Sequence, residues 1–550
     1  MFNVLRRKIK TTLGRNKDLQ VSHQKFKHGE GSGGIEQRPV DSSLQKNKQV
    51  LQQVFNNCID VKFREFELGT APPVNLMIVY MDGMVSTTDI HVSTLNRLML
   101  LNGLMEEITP GDTLNLIKNK LLPLAEIKEE SDLIKIVDGI LAGETVLFID
   151  GERNALLLGA KGWETRAVAE PESEPVVRGP REGFTEKLLT NIVLVRRRIK
   201  SSRLKVELTQ VGALSKTEIA IMYIEGITNS KVVEEVKKRL ERIKTDAILE
   251  TGYIEEYIQD EWKTPFPTIL STERPDRVAG HLLEGHVVLL VDTTPFALIM
   301  PVTFFHFLFA AEDYYASYQV STFIRLLRLA AVNISLLLPS AYIAVVTFHQ
   351  EMIPTPLLIS IAAAREGVPF PAFVEAFIME ATFELLREAG VRLPRQVGQA
   401  ISIVGALVIG QAAVSAGLIS PAMVIVVALT AIASFSIPNY SGAISLRILR
   451  FPIMMLAASL GLFGIMAGLM GLLIHLCSLR SFGVPYISPI APMVRGDLKD
   501  FILRAPRWAM FTRPRMIGYK EPQRQEYMQI PRPPKTNAAN KNNDAGNDKK

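Results

Sequence analysis

A chain of 550 residues can hold several domains, and its 47% hydrophobic content, concentrated in residues 326–478, excludes a single soluble globule. The net charge of +6 comes partly from a basic first turn (Arg6, Arg7, Lys8, Lys10) and a basic tail, which suits anionic lipid headgroups; no nucleic-acid fold is visible. Two cysteines, Cys58 and Cys477, exclude a disulfide framework and a cysteine metal site.

No apolar run follows the basic residues 1–13, so a signal peptide is not expected and this end is placed in the cytoplasm. The polar stretch that completes residues 1–48 is expected to be disordered. Residues 49–301 contain a repeat. The strand-like run Asn75-Leu-Met-Ile-Val-Tyr-Met-Asp82-Gly83 leads into a helix near residues 90–105, and Glu218-Ile-Ala-Ile-Met-Tyr-Ile-Glu225-Gly226 leads into one near 231–243. Further on, Gly143 to Asp150 with Ala155-Leu-Leu-Leu158 matches Gly285 to Asp292 with Ala297-Leu-Ile-Met300. Asp82 and Glu225 are 143 residues apart, and Asp150 and Asp292 are 142 apart, so both anchors hold nearly one register. The expected fold class is therefore α+β, with two repeated αβ subdomains (49–169 and 182–301, linker 170–181) followed by an all-α polytopic membrane domain. The Asp-Gly pairs at Asp82 and Asp150 read as turns.

The repeat places residues 287–301 in the second subdomain although 287–311 is apolar enough to be a span. Residues 302–328 then form an interfacial elbow, with Glu312, Asp313, Tyr314, Tyr315, Arg325 and Arg328 at headgroup level. In the membrane domain, 329–480, four runs suit spanning helices of about 20 residues: 329–348, 397–417, 421–437 and 451–478. Segment 354–390 is too charged for an ordinary span and reads as amphipathic or re-entrant. Residues 481–550 are expected to be a basic tail (Arg495, Lys499, Arg504, Arg507, Arg513, Arg515, Lys520), disordered at its end, which puts both termini in the cytoplasm. Ala406/Gly410, Ala413/Gly417, Ala457/Gly461 and Gly464/Gly468 set small residues one turn apart for close helix packing, within this chain or with another.

No enzyme signature is present, and no cofactor is implied. Of eight histidines only His475 lies in a span, without a second ligand at metal spacing, so no metal site is expected. The chemistry is carried instead by a helix starting at Pro371 and ending at Gly390. Glu380, Glu384, Arg387 and Glu388 share one side of it, while Glu375 stands alone on an apolar face. Glu375, Glu380 and Glu384 are candidate ion-pathway residues, and Glu375 repeated around a ring would select cations. An intrachain pair of Glu375 with Arg365 or Arg387, or an interfacial helix, explains the same pattern.

Arg178-Gly-Pro-Arg-Glu-Gly-Phe-Thr-Glu186, Asn191, Arg196-Arg-Arg-Ile-Lys200, Pro265-Phe-Pro, Thr272-Glu-Arg-Pro-Asp276, Glu312-Asp-Tyr-Tyr315, Val368-Pro-Phe-Pro371 and Ser434-Phe-Ser-Ile-Pro438 resemble the GerA family of spore germinant receptor A subunits. Thr293 stands where Gly would be expected. The resemblance implies a nutrient receptor subunit of the bacterial spore inner membrane. It also implies a permease-like B subunit and a lipoprotein C subunit as partners, membrane lipids around it, and a homo-oligomeric ring that conducts ions. A solute permease or a scaffold for the B subunit is the alternative. A permease is expected to show its repeats among the spans, whereas here the repeat lies in the soluble part.

Overall fold

The computed structural model describes residues 38–68, 73–85, 114, 127–159, 162, 170–171, 173–392, 410–518, 520–527 and 529–531. The first subdomain comprises α1 (Leu44–Val54), β1 (Val61–Leu68), β2 (Val74–Met81), β3 (Ile127–Glu130), α2 (Leu133–Leu141), β4 (Thr145–Ile149) and β5 (Ala155–Leu158). The second comprises α3 (Leu188–Arg196), β6 (Leu204–Val211), β7 (Thr217–Ile224), α4 (Ser230–Glu241), α5 (Thr251–Ile258), β8 (Leu270–Thr272), α6 (Pro275–Glu284), β9 (Val287–Val291) and β10 (Ala297–Met300). The sheets have strand orders β1-β2-β4-β5-β3 and β6-β7-β9-β10-β8, the same topology twice, and all pairings are antiparallel. The two αβ subdomains read from the repeat are therefore present. The helix expected near 90–105 lies outside the described residues.

Each sheet is buried on both faces, so its central strands read as continuous apolar runs. In β2, Met77 and Val79 pack with α1 and α2, while Leu76 and Ile78 point to the opposite layer. The aspartates after β4 and β9 have one task. Asp150 accepts the Leu44 N–H at 3.0 Å and Asp292 accepts the Leu188 N–H at 3.1 Å, each at the start of the subdomain's first helix. Asn47 and Asn191 clasp the chain before those helices, donating to the Asp41 and Thr185 carbonyls at 2.6 Å.

The helical part comprises α7 (Tyr318–Phe348), α8 (Thr355–Arg365), α9 (Ala372–Arg392), α10 (Gly410–Ser415), α11 (Pro421–Phe435) and α12 (Tyr440–Ser478), followed by the short pair β11 (Arg480–Ser481) and β12 (Val484–Pro485). Among the described residues, α7 and α12 are long and apolar enough to cross a bilayer, while α8 and α11 are shorter apolar helices. Helices α7 and α12 support a membrane-associated protein. The expected span 397–417 lies outside the described residues apart from its end, 410–417.

Two expectations are corrected here. The elbow helix and the first span are one helix, α7, which runs from Tyr318 to Phe348 and continues through Pro339. The last span is a helical hairpin. Gly461 leaves helical geometry (φ 61°, ψ −140°), and the two halves of α12 turn back on each other there. Ser445 in the first half donates to the Pro265 carbonyl at 2.5 Å, and His475 in the second half lies 2.9 Å from Thr264 of the same loop. Gly461 itself abuts Phe348 and His349 at the far end of α7. A Cβ on Gly464 would sit 2.0 Å from the Leu456 carbonyl oxygen, and one on Gly468 would touch the Leu456 side chain at 3.1 Å. Both glycines therefore pack within the chain. Gly410 faces Val424 and Gly417 (φ 67°) faces the Gly367 carbonyl.

Candidate functional site: an ion-pair layer inside the helical bundle

Helix α9 carries its three inner carboxylates past three other helices. Glu375, in the first turn after Pro371, is fully buried, and Arg365 at the end of α8 lies 3.2 Å from its Oε1. Its Oε2 accepts the Ser420 N–H at 3.0 Å and the Ser420 hydroxyl at 2.8 Å. Ser420 is the N-cap of α11, so the carboxylate sits at the positive end of that helix. Glu375 is therefore not alone: of the alternatives open in the sequence, the intrachain pair with Arg365 is the one present, and Arg387 pairs elsewhere.

One and two turns further on, Glu380 pairs with Arg450 and Glu384 with Arg447 at 2.7 Å. Glu380 and Arg450 are both 1% exposed at the side chain. Arg450 also donates to the Ser335 carbonyl of α7 at 2.8 Å, which ties α7, α9 and α12 together. Arg387 donates to the Ser434 hydroxyl at 3.2 Å and lies over the Phe435 ring at 4.7 Å. The result is a ladder of charge running along α9. Charges removed from water are expensive unless paired, and losing one partner of a buried pair costs about 3–5 kcal/mol. The ladder therefore fixes the rotation of α9 against its neighbours.

The elbow residues turn inward. Asp313, buried, accepts from Arg328 at 2.8 Å and Arg325 at 3.3 Å; Arg325 also reaches Asp500 at 2.8 Å, and Tyr314 donates to Asp500 at 2.9 Å. Burial raises the Tyr314 hydroxyl well above its ordinary range, with the charge of Asp500 adding to it. Burial also lifts the Asp500 carboxyl, against the pull of Arg325. Glu312 accepts the Val177 and Arg178 N–H groups, and Tyr315 bonds Asp276. These acids and tyrosines join the second subdomain, α7 and the C-terminal segment. The segment after β12 is likewise packed: Arg504 and Arg513 are buried, and Arg513 donates to the Leu283, Glu521 and Gln523 carbonyls.

Arg447 and Arg450, one turn apart in an apolar run, are the partners that sequence reasoning missed, together with Ser335, Ser420 and Asp500. Within the ladder no group of side chains has the make-up of a metal site; among the described residues that chemistry occurs in the second subdomain.

The family described as Bacillus/Clostridium GerA spore germination protein matches residues 49–516. The chain belongs to this GerA family. It is 48% identical over 499 residues to the spore germination protein KA of Bacillus subtilis (strain 168), covering 90% of this chain and 91% of that one. It is 43% identical over 403 residues to the spore germination protein GerLA of Bacillus cereus, covering 73% and 82%. The crystal structure of the N-terminal domain of the A subunit of the Bacillus megaterium spore germinant receptor GerK3 matches at 33% identity, covering 48% of this chain and 98% of that chain, with a TM-score of 0.38. The GerA assignment supports a role as a germinant-receptor A subunit and, with it, association with other receptor subunits.

Proposed function

We propose that this GerA chain is the A subunit of a nutrient receptor in the inner membrane of the bacterial spore, working with permease-like B and lipoprotein C subunits and forming a homo-oligomeric ring that conducts cations. The observation that carries the receptor-subunit reading is the GerA family match over residues 49–516. For the cation path the support is the Glu375–Arg365 pair, a fully buried carboxylate held by an arginine on a helix, α8, with no buried residue of its own. Ionisable groups kept at membrane depth are costly and commonly mark ion paths. A peripheral helix fastened by one ion pair is suited to a gate, since parting Arg365 from Glu375 would present a carboxylate from every subunit to the path. In this reading the bundle is polytopic. Helix α7 and the first half of α12 run away from the soluble subdomains, and α9, α11 and the second half of α12 run back. Helix α12 ends with His475 beside Thr264 of the second subdomain, so the chain after it stays on the side of the soluble subdomains, which this reading takes as cytoplasmic. Exposed Phe463, Met466, Met470, Leu473 and Ile474 form an apolar stripe on the outer half of the hairpin, suited to lipid or a neighbouring copy.

Germinant binding elsewhere in the complex shifts the ring from closed to open only by the difference in its affinity for the two states. Recording from liposomes that hold the assembled receptor tests this reading. Germinant-dependent single-channel steps carried by cations are expected, and saturable solute exchange without steps would overturn it in favour of a permease.

A further inference from the structure

Three histidines, His281, His286 and His306, meet beside α6. His281 lies in the last turn of α6 and Glu284, one turn on, is its final residue. Gly285 then takes a left-handed conformation (φ 102°), and the His286 N–H reaches back to the His281 carbonyl at 3.2 Å. This turn brings the His281 and His286 rings face to edge, with centroids 4.6 Å apart. His306 approaches from the loop after β10, 5.2 Å from His281 and 5.3 Å from His286. One donor atom from each of His281, Glu284, His286 and His306 lies within 4.8 Å of all the others.

The hydrogen-bonding state of these groups separates ligands from neighbours. His286 is fully buried, and neither of its ring nitrogens makes a hydrogen bond; the Nδ1 of His281 is buried and unpaired as well. A neutral imidazole always carries one donor and one lone pair, and leaving both without partners in a protein interior is costly. The Pro301 carbonyl acts on His286 but lies outside good hydrogen-bond geometry. His306 differs. Its Nδ1 accepts the Thr303 N–H at 3.0 Å, which leaves its proton on Nε2. It can donate to a bound group but cannot offer that nitrogen's lone pair while the bond lasts. Arg524 holds one oxygen of Glu284 at 2.6 Å and leaves the other available. Arg277 is committed to Glu174 and the His306 carbonyl, and Arg513 to the Leu283 carbonyl.

We infer that His281, Glu284 and His286 form a binding site for a divalent transition-metal ion of the zinc class, with His306 donating to whatever fills the remaining position. Two imidazoles and a carboxylate match zinc and its first-row neighbours better than magnesium or calcium, which take oxygen donors. A three-ligand set leaves a position open, and the open side exists. His281, Glu284 and His306 line a cavity of about 710 Å³ between α6, the elbow and the C-terminal segment, whose other walls include Tyr314, Asp500 and Arg513. A metal there would stand where the second subdomain, the elbow and the tail converge.

The test uses the full-length protein in detergent, stripped with a chelator and titrated with zinc or cobalt(II) salts alone. One ion per chain is expected, with a rise in melting temperature on zinc addition and visible absorption bands of tetrahedral cobalt. His286→Asn should abolish both. Glu284→Gln keeps the side chain's shape and should weaken zinc binding roughly tenfold or more, so it decides the matter if His286→Asn does not fold. His475→Ala, remote from the cluster, should bind as the wild type does. No stoichiometric zinc binding by the wild type, or equal binding by wild type and Glu284→Gln, would overturn the site.

Discussion

Asp60 of the first subdomain and Arg196 of the second meet in a two-pronged ion pair, Nε to Oδ2 at 2.7 Å and Nη2 to Oδ1 at 3.0 Å, with both side chains 1% exposed. Beside it the Val206 N–H bonds the Asn57 carbonyl at 2.9 Å and the Ile59 N–H bonds the Val206 carbonyl at 3.2 Å, so the two repeats share backbone as well as charge. Asp60→Asn should lower stability by about 3–5 kcal/mol by stranding a buried guanidinium. The double change Asp60→Leu with Arg196→Met should recover most of that loss. Thermal unfolding of the full chain measures both, and an Asp60→Asn protein as stable as the wild type would show that the pair does not hold the subdomains together.

Thr293 occupies the left-handed region (φ 69°) that Gly151 occupies (φ 89°) at the equivalent turn of the first subdomain. A β-branched residue is strained there, and the Thr293 N–H bond to the Glu186 carbonyl at 2.7 Å helps to hold the turn in place. Thr293→Gly should stabilise the protein by about 1 kcal/mol, and Gly151→Thr should destabilise it by at least as much. Melting of the two variants, read as a reciprocal pair, checks this.

Much of this was legible because the repeated signals are local. Buried strands followed by acidic turns recur at fixed spacing, and a common topology with equivalent Asp150 and Asp292 caps is what such a repeat requires. The bundle was less legible. Hydropathy records that residues 451–478 are apolar but not that a single glycine at 461 reverses them, since chain reversal needs only one residue at positive φ. For Glu375 the Arg365 partner was among the readings open in the sequence, whereas Ser420, 45 residues away, was not. The elbow's link to the tail was not legible because Asp500 lies 175 residues from Arg325 and 186 from Tyr314, the two side chains that reach it. His281, Glu284 and His286 were visible within six residues, but the turn at Gly285 that faces the rings together was not read from them.

The hairpin in α12 gives a direct packing test. Gly464→Ala would drive a Cβ into the Leu456 carbonyl, whereas Gly471→Ala meets nothing within 4 Å. Overpacking of this kind costs about 1–3 kcal/mol or more, since backbone and not a flexible side chain must give way. Gly464→Ala should therefore lose monodisperse protein on detergent extraction while Gly471→Ala extracts normally. Equal yields would mean that the two halves do not pack as described.

Glu255 supplies a pH dependence of definite sign. Burial, with Glu250 nearby, raises its carboxyl from 4.5 to about 7. The folded state then holds a proton that the unfolded chain has released, so this group's contribution favours folding below 4.5 and is lost as pH rises through about 7. Glu255→Gln should match the wild type in melting temperature at the acid end and exceed it above neutrality. A constant difference across that range would remove Glu255 as the cause.

Cation flux through the assembled receptor, triggered by germinant and compared between wild type, Glu375→Gln and Glu384→Gln, tests the conducting role most directly. Both variants should retain the complex. Glu375→Gln, at the buried pair with Arg365, should sharply reduce the cation flux, and Glu384→Gln should change it much less. Normal flux from fully assembled Glu375→Gln receptor would contradict a cation path that passes this residue.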